Sequence, residues 1–331
     1  MKELWHILLY MSFFFRTFAR QIVNESVDIL LFMPFRQKKY KTQRRKRGSH
    51  HSQEHLKSVV LSRLVDLFDD KNWEKDYSSE SSCYMRFVKL LADMTPKEQN
   101  LVIELSRQFL HIPSSDYVAK LKKPLGQLRK YRDGRLIFIG CMSEEDILNS
   151  GVKSCYEVLY KLRGTTLRYS GLDLRPYSVK NNAQALTEND INEVNNNTAT
   201  IVFVDDFIGT GDTAIDAVRY LAKSHPELVN WRRVCFLSIV AQSSGKKKLE
   251  DSNFEVYTSD IIEKGISDYY KGKRLNDAKT TMEYMESKMS GLKDEFKFGY
   301  KQSEALVCME RCPNNTFPIY WLGRNIAPYE R

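Results

Sequence analysis

Histidine is scarce where catalysis would need it. Of the six histidines, His6, His50, His51 and His55 lie in or beside a basic N-terminal tail, leaving only His111 and His225 for the rest of the chain. That supply is too thin for a Ser-His-Asp, Cys-His or multi-histidine metal mechanism. No GxxxxGK[ST] motif occurs, which excludes a Walker-type ATPase. No apolar run reaches the roughly 18 to 20 residues that span a bilayer. The six cysteines are scattered, several within apolar runs where a buried thiol is ordinary, and this use implies a reducing, cytoplasmic compartment. Cys308 and Cys312 flank "MER", but no second Cys or His pair stands at zinc spacing. Net charge is missing from the body too. The run "RQKKYKTQRRKR", residues 36–47, carries eight Lys or Arg and no acid, and without it the formal charge of +9 falls to +1. Nucleic-acid binding by simple charge would therefore belong to residues 36–47.

With 331 residues, 42% hydrophobic and 12% aromatic, the chain can bury a substantial core. Three regions are expected. Residues 1–51 form a leader, apolar in "ILLYMSFFF" and "ILLFMPF" and then basic. It reads as disordered or interfacial, with membrane contact through an amphipathic anchor as the alternative, and it lacks a small-residue signal cleavage site. Residues 52–132 read as a helical cap subdomain: "HLKSVVLSRLVDLF", "YMRFVKLLADM" and "EQNLVIELSRQFL" repeat apolar residues at three and four spacing. Within it, Thr95, Pro96 and Glu98 form a helix-start signature. In residues 133–331 strands and helices alternate: "RLIFIG", "IVFVDD", "VCFLSIVA" and "FEVYTSDII" supply the apolar strands, and residues 271–297 read as a charged helix. That alternation predicts an α/β fold with a parallel sheet flanked by helices.

The chemistry concentrates in "TATIVFVDDFIGTGDTAIDAVRYL". Ile201–Val204 is a continuous β-branched and aromatic run, as in a parallel strand covered on both faces. Asp205 and Asp206 fall at its carboxyl end, where open α/β sheets bind ligands. Gly209, Thr210, Gly211, Asp212 and Thr213 then offer close backbone approach, hydroxyl donors and free amides opening a helix. The helix is legible from Ala214, Ala217, Val218 and Leu221. Acids for sugar hydroxyls beside a cradle for phosphate describe a sugar-phosphate site.

The stretch "IVFVDDFIGTGDT" resembles the phosphoribosyl pyrophosphate (PRPP) motif of type I phosphoribosyltransferases, with Gly209 where that family usually has Ser, Thr, Ala or Val. The resemblance implies that Asp205 and Asp206 hold the ribose hydroxyls and residues 209–213 bind the 5-phosphate. The family also uses a loop after its first sheet strand for pyrophosphate. The comparable "GVKSC" places Lys153 and Ser154 there, the lysine to neutralise charge and the serine to donate, although a surface lysine before a helix explains the pair as well. The order of "KSC", "YEVLYKLRG", the acid motif, "GYKQSEALV" and "CPNNTFPIYW" further resembles the phosphoribosyltransferase-like effector family of bacterial conflict systems, PRTase-CE, over about residues 60–322. Cys155 stands where the family has glycine. Such a resemblance implies an effector of antiphage defence acting beside a co-encoded partner, a retron reverse transcriptase among them. Asn314, Asn315 and Thr316 are candidates to bind and stack a base, with a satisfied turn as the competing reading.

On PRPP, displacement at the anomeric carbon would pass through a positively charged sugar that the carboxylates stabilise, with Mg²⁺ carried chiefly by the substrate phosphates. No protein nucleophile is needed, in keeping with the scarcity of histidine. A toxin-like relative could instead cleave or exchange a nucleotide's glycosidic bond. The competing reading is a silent PRPP or nucleotide sensor that regulates a partner. A phosphorylated receiver domain is disfavoured, because "VCFLSIVA" ends in Ala241 and Gln242 rather than a phosphoacceptor Asp.

Overall fold

The computed structural model describes residues 56–131, 133–149, 151–168, 176–323 and 326–330. The expected leader and its basic run lie outside the described residues. Three helices come first: α1 (Ser58–Lys71), α2 (Cys83–Ala92) and α3 (Pro96–Gln108). The Thr95 signature is realised as a capping box with Pro96 in the first turn: the Thr95 hydroxyl accepts from the Glu98 amide, and Glu98 accepts from the Thr95 amide at 2.7 Å. The short strand β1 (Leu110–His111) and helix α4 (Tyr117–Gln127) follow.

The alternating region then builds β2 (Arg135–Gly140), α5 (Glu144–Leu148), α6 (Ser154–Arg163), α7 (Thr165–Arg168), β3 (Tyr177–Lys180) and α8 (Glu188–Asn195). It continues with β4 (Ala199–Ile208), α9 (Asp212–Ser224), β5 (Val234–Gln242), α10 (Ser243–Asp251) and β6 (Glu255–Ile262). Helix α11 (Gly272–Ser287) and the short strand β7 (Val307–Cys308) come last among the α-helices and strands of the described residues. The helix predicted over 271–297 ends at Ser287 and is followed by a 3₁₀ turn at Asp294–Phe296.

Strands β3, β2, β4, β5 and β6 form, in that order, one fully parallel sheet. From β2 the chain steps outward to β3 and then crosses back to β4 on the other side of β2. The carboxyl ends of β2 and β4 therefore flank a topological switch point, where the diverging connections leave a crevice. Both sheet faces are covered, which explains the uninterrupted apolar runs. In β4, Val202 and Val204 pack with Leu121, Leu125, Val158 and Leu162 of α4 and α6. Ile201 and Phe203 pack with Ile191, Ala217, Leu221 and Leu249 of α8, α9 and α10.

The helical reading of residues 52–132 divides in two. Helices α1 to α3 share a core with α11 and with Phe317, Ile319, Tyr320 and Tyr329, whereas α4 belongs to the core of the sheet. A helical pattern reports an apolar face; it does not say which surface covers it. Between these cores, β1 pairs in parallel with β7, Leu110 opposite Val307. Among the described residues, no helix is long and apolar enough to cross a membrane.

Candidate functional site

The site begins where β4 ends. Asp206 is buried at 5% exposure and Asp205 is half-buried. Each acid is held by a hydroxyl from a different element. The Ser154 Oγ, opening α6, donates to Asp205 Oδ1 at 2.7 Å, and the Asp206 amide donates to the same oxygen at 2.9 Å. The Tyr117 hydroxyl, opening α4, donates to Asp206 Oδ2 at 3.1 Å. Burial pushes both carboxyls above the usual range, and the negative charge of Asp206 adds to the shift of Asp205. The hydroxyls work the other way, favouring the ionised form. Burial, with Asp205 and Asp206 nearby, likewise drives the Cys155 thiol upward, so this cysteine is inert packing beneath the acids.

The anion cradle turns directly after the acids. Gly211 has φ of 78°, a left-handed conformation natural to glycine, and its carbonyl accepts the first α9 bond from Ile215 at 3.1 Å. The loop lies hard against α10. A Cβ built on Gly245 would overlap the Gly209 carbonyl oxygen and stand 3.0 Å from the Gly211 nitrogen. Asp212 is the cradle's unusual member, a carboxylate where an anion is expected to bind. Although burial alone would raise it, Lys248, Lys301 and the Thr210 hydroxyl hold Asp212 well below the ordinary carboxylate range. Lys248 reaches Oδ1 at 2.5 Å, while Lys301 and Thr210 each reach Oδ2 at 2.8 Å. Thr213 is exposed on the first turn.

Lys301 arrives on a segment in an uncommon conformation. Phe298, Lys301, Gln302 and Glu304 all have φ between 53° and 57°. Non-glycine residues persist there only when their surroundings over-determine them. The surroundings do so: Glu286 accepts from the Phe298 amide, Asn314 O from the Tyr300 amide, and Asn315 O from the Ser303 hydroxyl. Glu304, 3% exposed, accepts from the amides of Ile266 and Ser267.

The predicted residues are distributed unevenly. Asp205, Asp206 and Ser154 meet at the switch point. Lys153, next to Ser154 in sequence, instead pairs with Asp146 of α5. Of the terminal trio, Asn315 reaches the cradle: a Cβ on Gly209 would stand 2.5 Å from its side-chain carbon, and its buried Nδ2 has no hydrogen-bond partner. Asn314 contributes its carbonyl to Tyr300. Thr316 is fully buried and its hydroxyl donates to Val307 O at 2.6 Å. Tyr117 carries no local signal of its place here, whereas Lys248 stands in the lysine run "KKK" and Lys301 in the "GYKQSEALV" stretch that carries the family resemblance.

A Mg²⁺ at such a site would be held chiefly by substrate phosphates and water, the two carboxylates being engaged by Ser154 and Tyr117. Among the described residues, no group of three or more His, Cys, Asp or Glu side chains is arranged as a metal site. An open cleft of about 630 Å³ along β6, between Lys123 and Lys246, shares no residue with the acid pair or the cradle.

Several solved structures match the chain at low identity. Xanthine-guanine-hypoxanthine phosphoribosyltransferase from Helicobacter pylori is 13% identical, with 46% of this chain and 84% of that one covered at a TM-score of 0.24. Orotate phosphoribosyltransferase from Mycobacterium tuberculosis H37Rv, in complex with inorganic phosphate, is 10% identical, with 56% and 99% covered at 0.26. The AQ2163 protein from Aquifex aeolicus is 12% identical, with 62% and 85% covered at 0.26. No curated protein matches the chain. The family match is much more extensive: residues 71–330, holding the whole parallel sheet, the acid pair, the cradle and the segment that carries Lys301, match PRTase-CE, and the chain belongs to that family.

Proposed function

We propose that the protein binds PRPP, or a nucleotide with the same ribosyl phosphate, and reacts it at the anomeric carbon. The observation that carries this reading is the acid pair at the switch point, followed after Phe207 and Ile208 by a glycine-rich cradle opening α9. Asp205 and Asp206 hold the ribose hydroxyls, and residues 209–213 bind the 5-phosphate through backbone amides and the Thr210 and Thr213 hydroxyls. With PRPP, the bond from C1 to the diphosphate breaks, its electron pair leaving on the diphosphate, and a bond from the acceptor to C1 forms. The two carboxylates stabilise positive charge on the ring in between. Mg²⁺ enters as part of the diphosphate substrate. Of the terminal trio proposed for a base, Asn315 lies against the phosphate cradle, its unpartnered amide beside Gly209.

Family membership supports an effector role in antiphage defence beside a partner, a retron reverse transcriptase being one candidate, and the scattered cysteines support a cytoplasmic location. The basic residues 36–47 are the segment through which nucleic acid would be contacted. One observation favours a sensor without turnover: Lys153, the lysine of the pyrophosphate loop, is engaged by Asp146. Calorimetry with PRPP and Mg²⁺ on the wild type and on an Asp205→Asn, Asp206→Asn variant tests the site. Binding by the first and not the second is expected; equal binding, or none by either, refutes it. Release of diphosphate on adding nucleotide bases separates enzyme from sensor.

A further inference from the structure

We propose that Tyr117 is a positioning residue of the site, its hydroxyl fixing the orientation of Asp206 from beneath. The inference rests on the ribosyl-phosphate reading for what Asp206 does, and on geometry for what Tyr117 does.

Tyr117 is fully buried and packs in the core with Leu121, Leu125 and Val204. A phenylalanine would fill that space as well, so the ring alone does not account for a hydroxyl there. A buried phenol needs partners, and this one has two of opposite kind. Its oxygen accepts from the Glu310 amide at 3.2 Å, and its single proton is directed to Asp206 Oδ2. The amide bond fixes which way the hydroxyl points. Glu310 is itself held, because its Oε2 accepts from the Ser114 amide at 3.0 Å, three residues before Tyr117. The same two segments pair again where the Ile112 amide donates to Cys308 O at 2.9 Å. Residues 112–117 and 308–310 thus clamp each other from three points, and the product of the clamp is one donor aimed at one carboxylate oxygen. Ser154 does the corresponding work for Asp205 from the opposite element, α6. Ser154 also faces Asp206, so what Tyr117 adds is a donor to Asp206 from the buried side.

The groups facing Asp206 are Asp205 on its own strand, Ser154 and Cys155 on α6, and Tyr117 on α4. Glu310 stands behind Tyr117, while Cys141 faces Asp205 and Cys155, and Asp146 faces Cys141 and Cys155. Tyr117 is the member of this set that touches Asp206 without also touching Asp205.

Tyr117→Phe keeps the ring and removes the donor. A ¹³C titration of the side-chain carboxyls, with the Asp206 signal identified by its loss in Asp206→Asn, reads the effect without any ligand. The Asp206 midpoint should rise by about half a pH unit or more, since a donor to the charged form has been lost. Site-specific incorporation of 3,5-difluorotyrosine at position 117 keeps the contacts and strengthens the donor, and should move the midpoint down. Binding of ribose 5-phosphate should weaken about tenfold in Tyr117→Phe, with the acid limit of binding moved to higher pH. An unchanged Asp206 midpoint in both variants, or a lowered melting temperature with midpoint and binding profile unmoved, overturns the proposal. If the wild type fails to bind ribose 5-phosphate while the midpoints move as expected, it is the ribosyl-phosphate reading that fails.

Discussion

Replacing Gly245 by alanine should disable the anion cradle from the back. Gly245 lies in the first turns of α10, and its built Cβ overlaps the Gly209 carbonyl oxygen, 2.9 Å from the carbonyl carbon and 3.0 Å from the Gly211 nitrogen. These are backbone atoms, so no side chain can rotate away. The loop must retreat by roughly an ångström to restore ordinary contact, and overpacking of this kind costs about 1–3 kcal/mol. That displacement is borne by the segment whose amides should hold the phosphate, so affinity for inorganic phosphate or ribose 5-phosphate should fall about tenfold or more, at about 1.4 kcal/mol per decade. Calorimetry at pH 7 measures the affinity and urea denaturation the stability. Gly126→Ala is the control. Nothing lies within 4 Å of its built Cβ, so the exchange should leave binding alone and raise stability by up to about 0.5 kcal/mol. Gly245→Ala with wild-type affinity and stability would refute the contribution of the α10 contact to the cradle.

Glu286, 2% exposed beneath the Phe298 amide, is raised by burial to about 7. Its unfolded counterpart ionises near 4.5, so stability should fall as pH rises between these values and the penalty should persist above pH 7. Glu286→Gln should relieve it, gaining up to about 3 kcal/mol over the wild type at pH 8 and little at pH 4 in urea denaturation; a pH-independent difference contradicts this. Asp190, 2% exposed, would be raised by burial alone but is held well below the usual carboxylate range by Lys180, the Thr187 amide and Arg135. Its depressed value contributes stability above about pH 4 that is lost on further acidification. Asp190→Ala should cost about 3 kcal/mol at pH 7 by thermal unfolding, and a loss under 1 kcal/mol would argue against the cluster as a major support of α8. Lys248→Met and Lys301→Met should each weaken phosphate binding about three- to tenfold, more at low salt than at high salt. Affinities that do not move would place both lysines outside the anion site.

What the sequence revealed and what it hid differ in range. β4, Asp205, Asp206, the cradle and α9 are contiguous, and each follows from a local pattern: an apolar run, a change to acids, glycines, then a helical stripe. The Thr95 cap is local in the same way. β3 went unseen because Tyr177–Lys180 is half-buried throughout, without the apolar run of a central strand. Tyr117, Lys248 and Lys301 lie 89, 36 and 89 residues from their acidic partners, and nothing in their neighbours records the pairing. Asn315 was visible only as part of a polar trio, of which Thr316 turned out to serve the core and Asn314 a backbone turn.

The parallel pairing of Leu110–His111 with Val307–Cys308 has a kinetic consequence. It joins stretches nearly two hundred residues apart, the kind of closure that is entropically slow and comes after nearer contacts have formed. The same closure delivers Lys301, the Glu310 amide and Asn315 to a sheet that can assemble from its neighbouring strands. On refolding, far-UV circular dichroism should therefore recover before phosphate binding does, so that the molecule passes through a stage in which it has its shape but not yet its ligand.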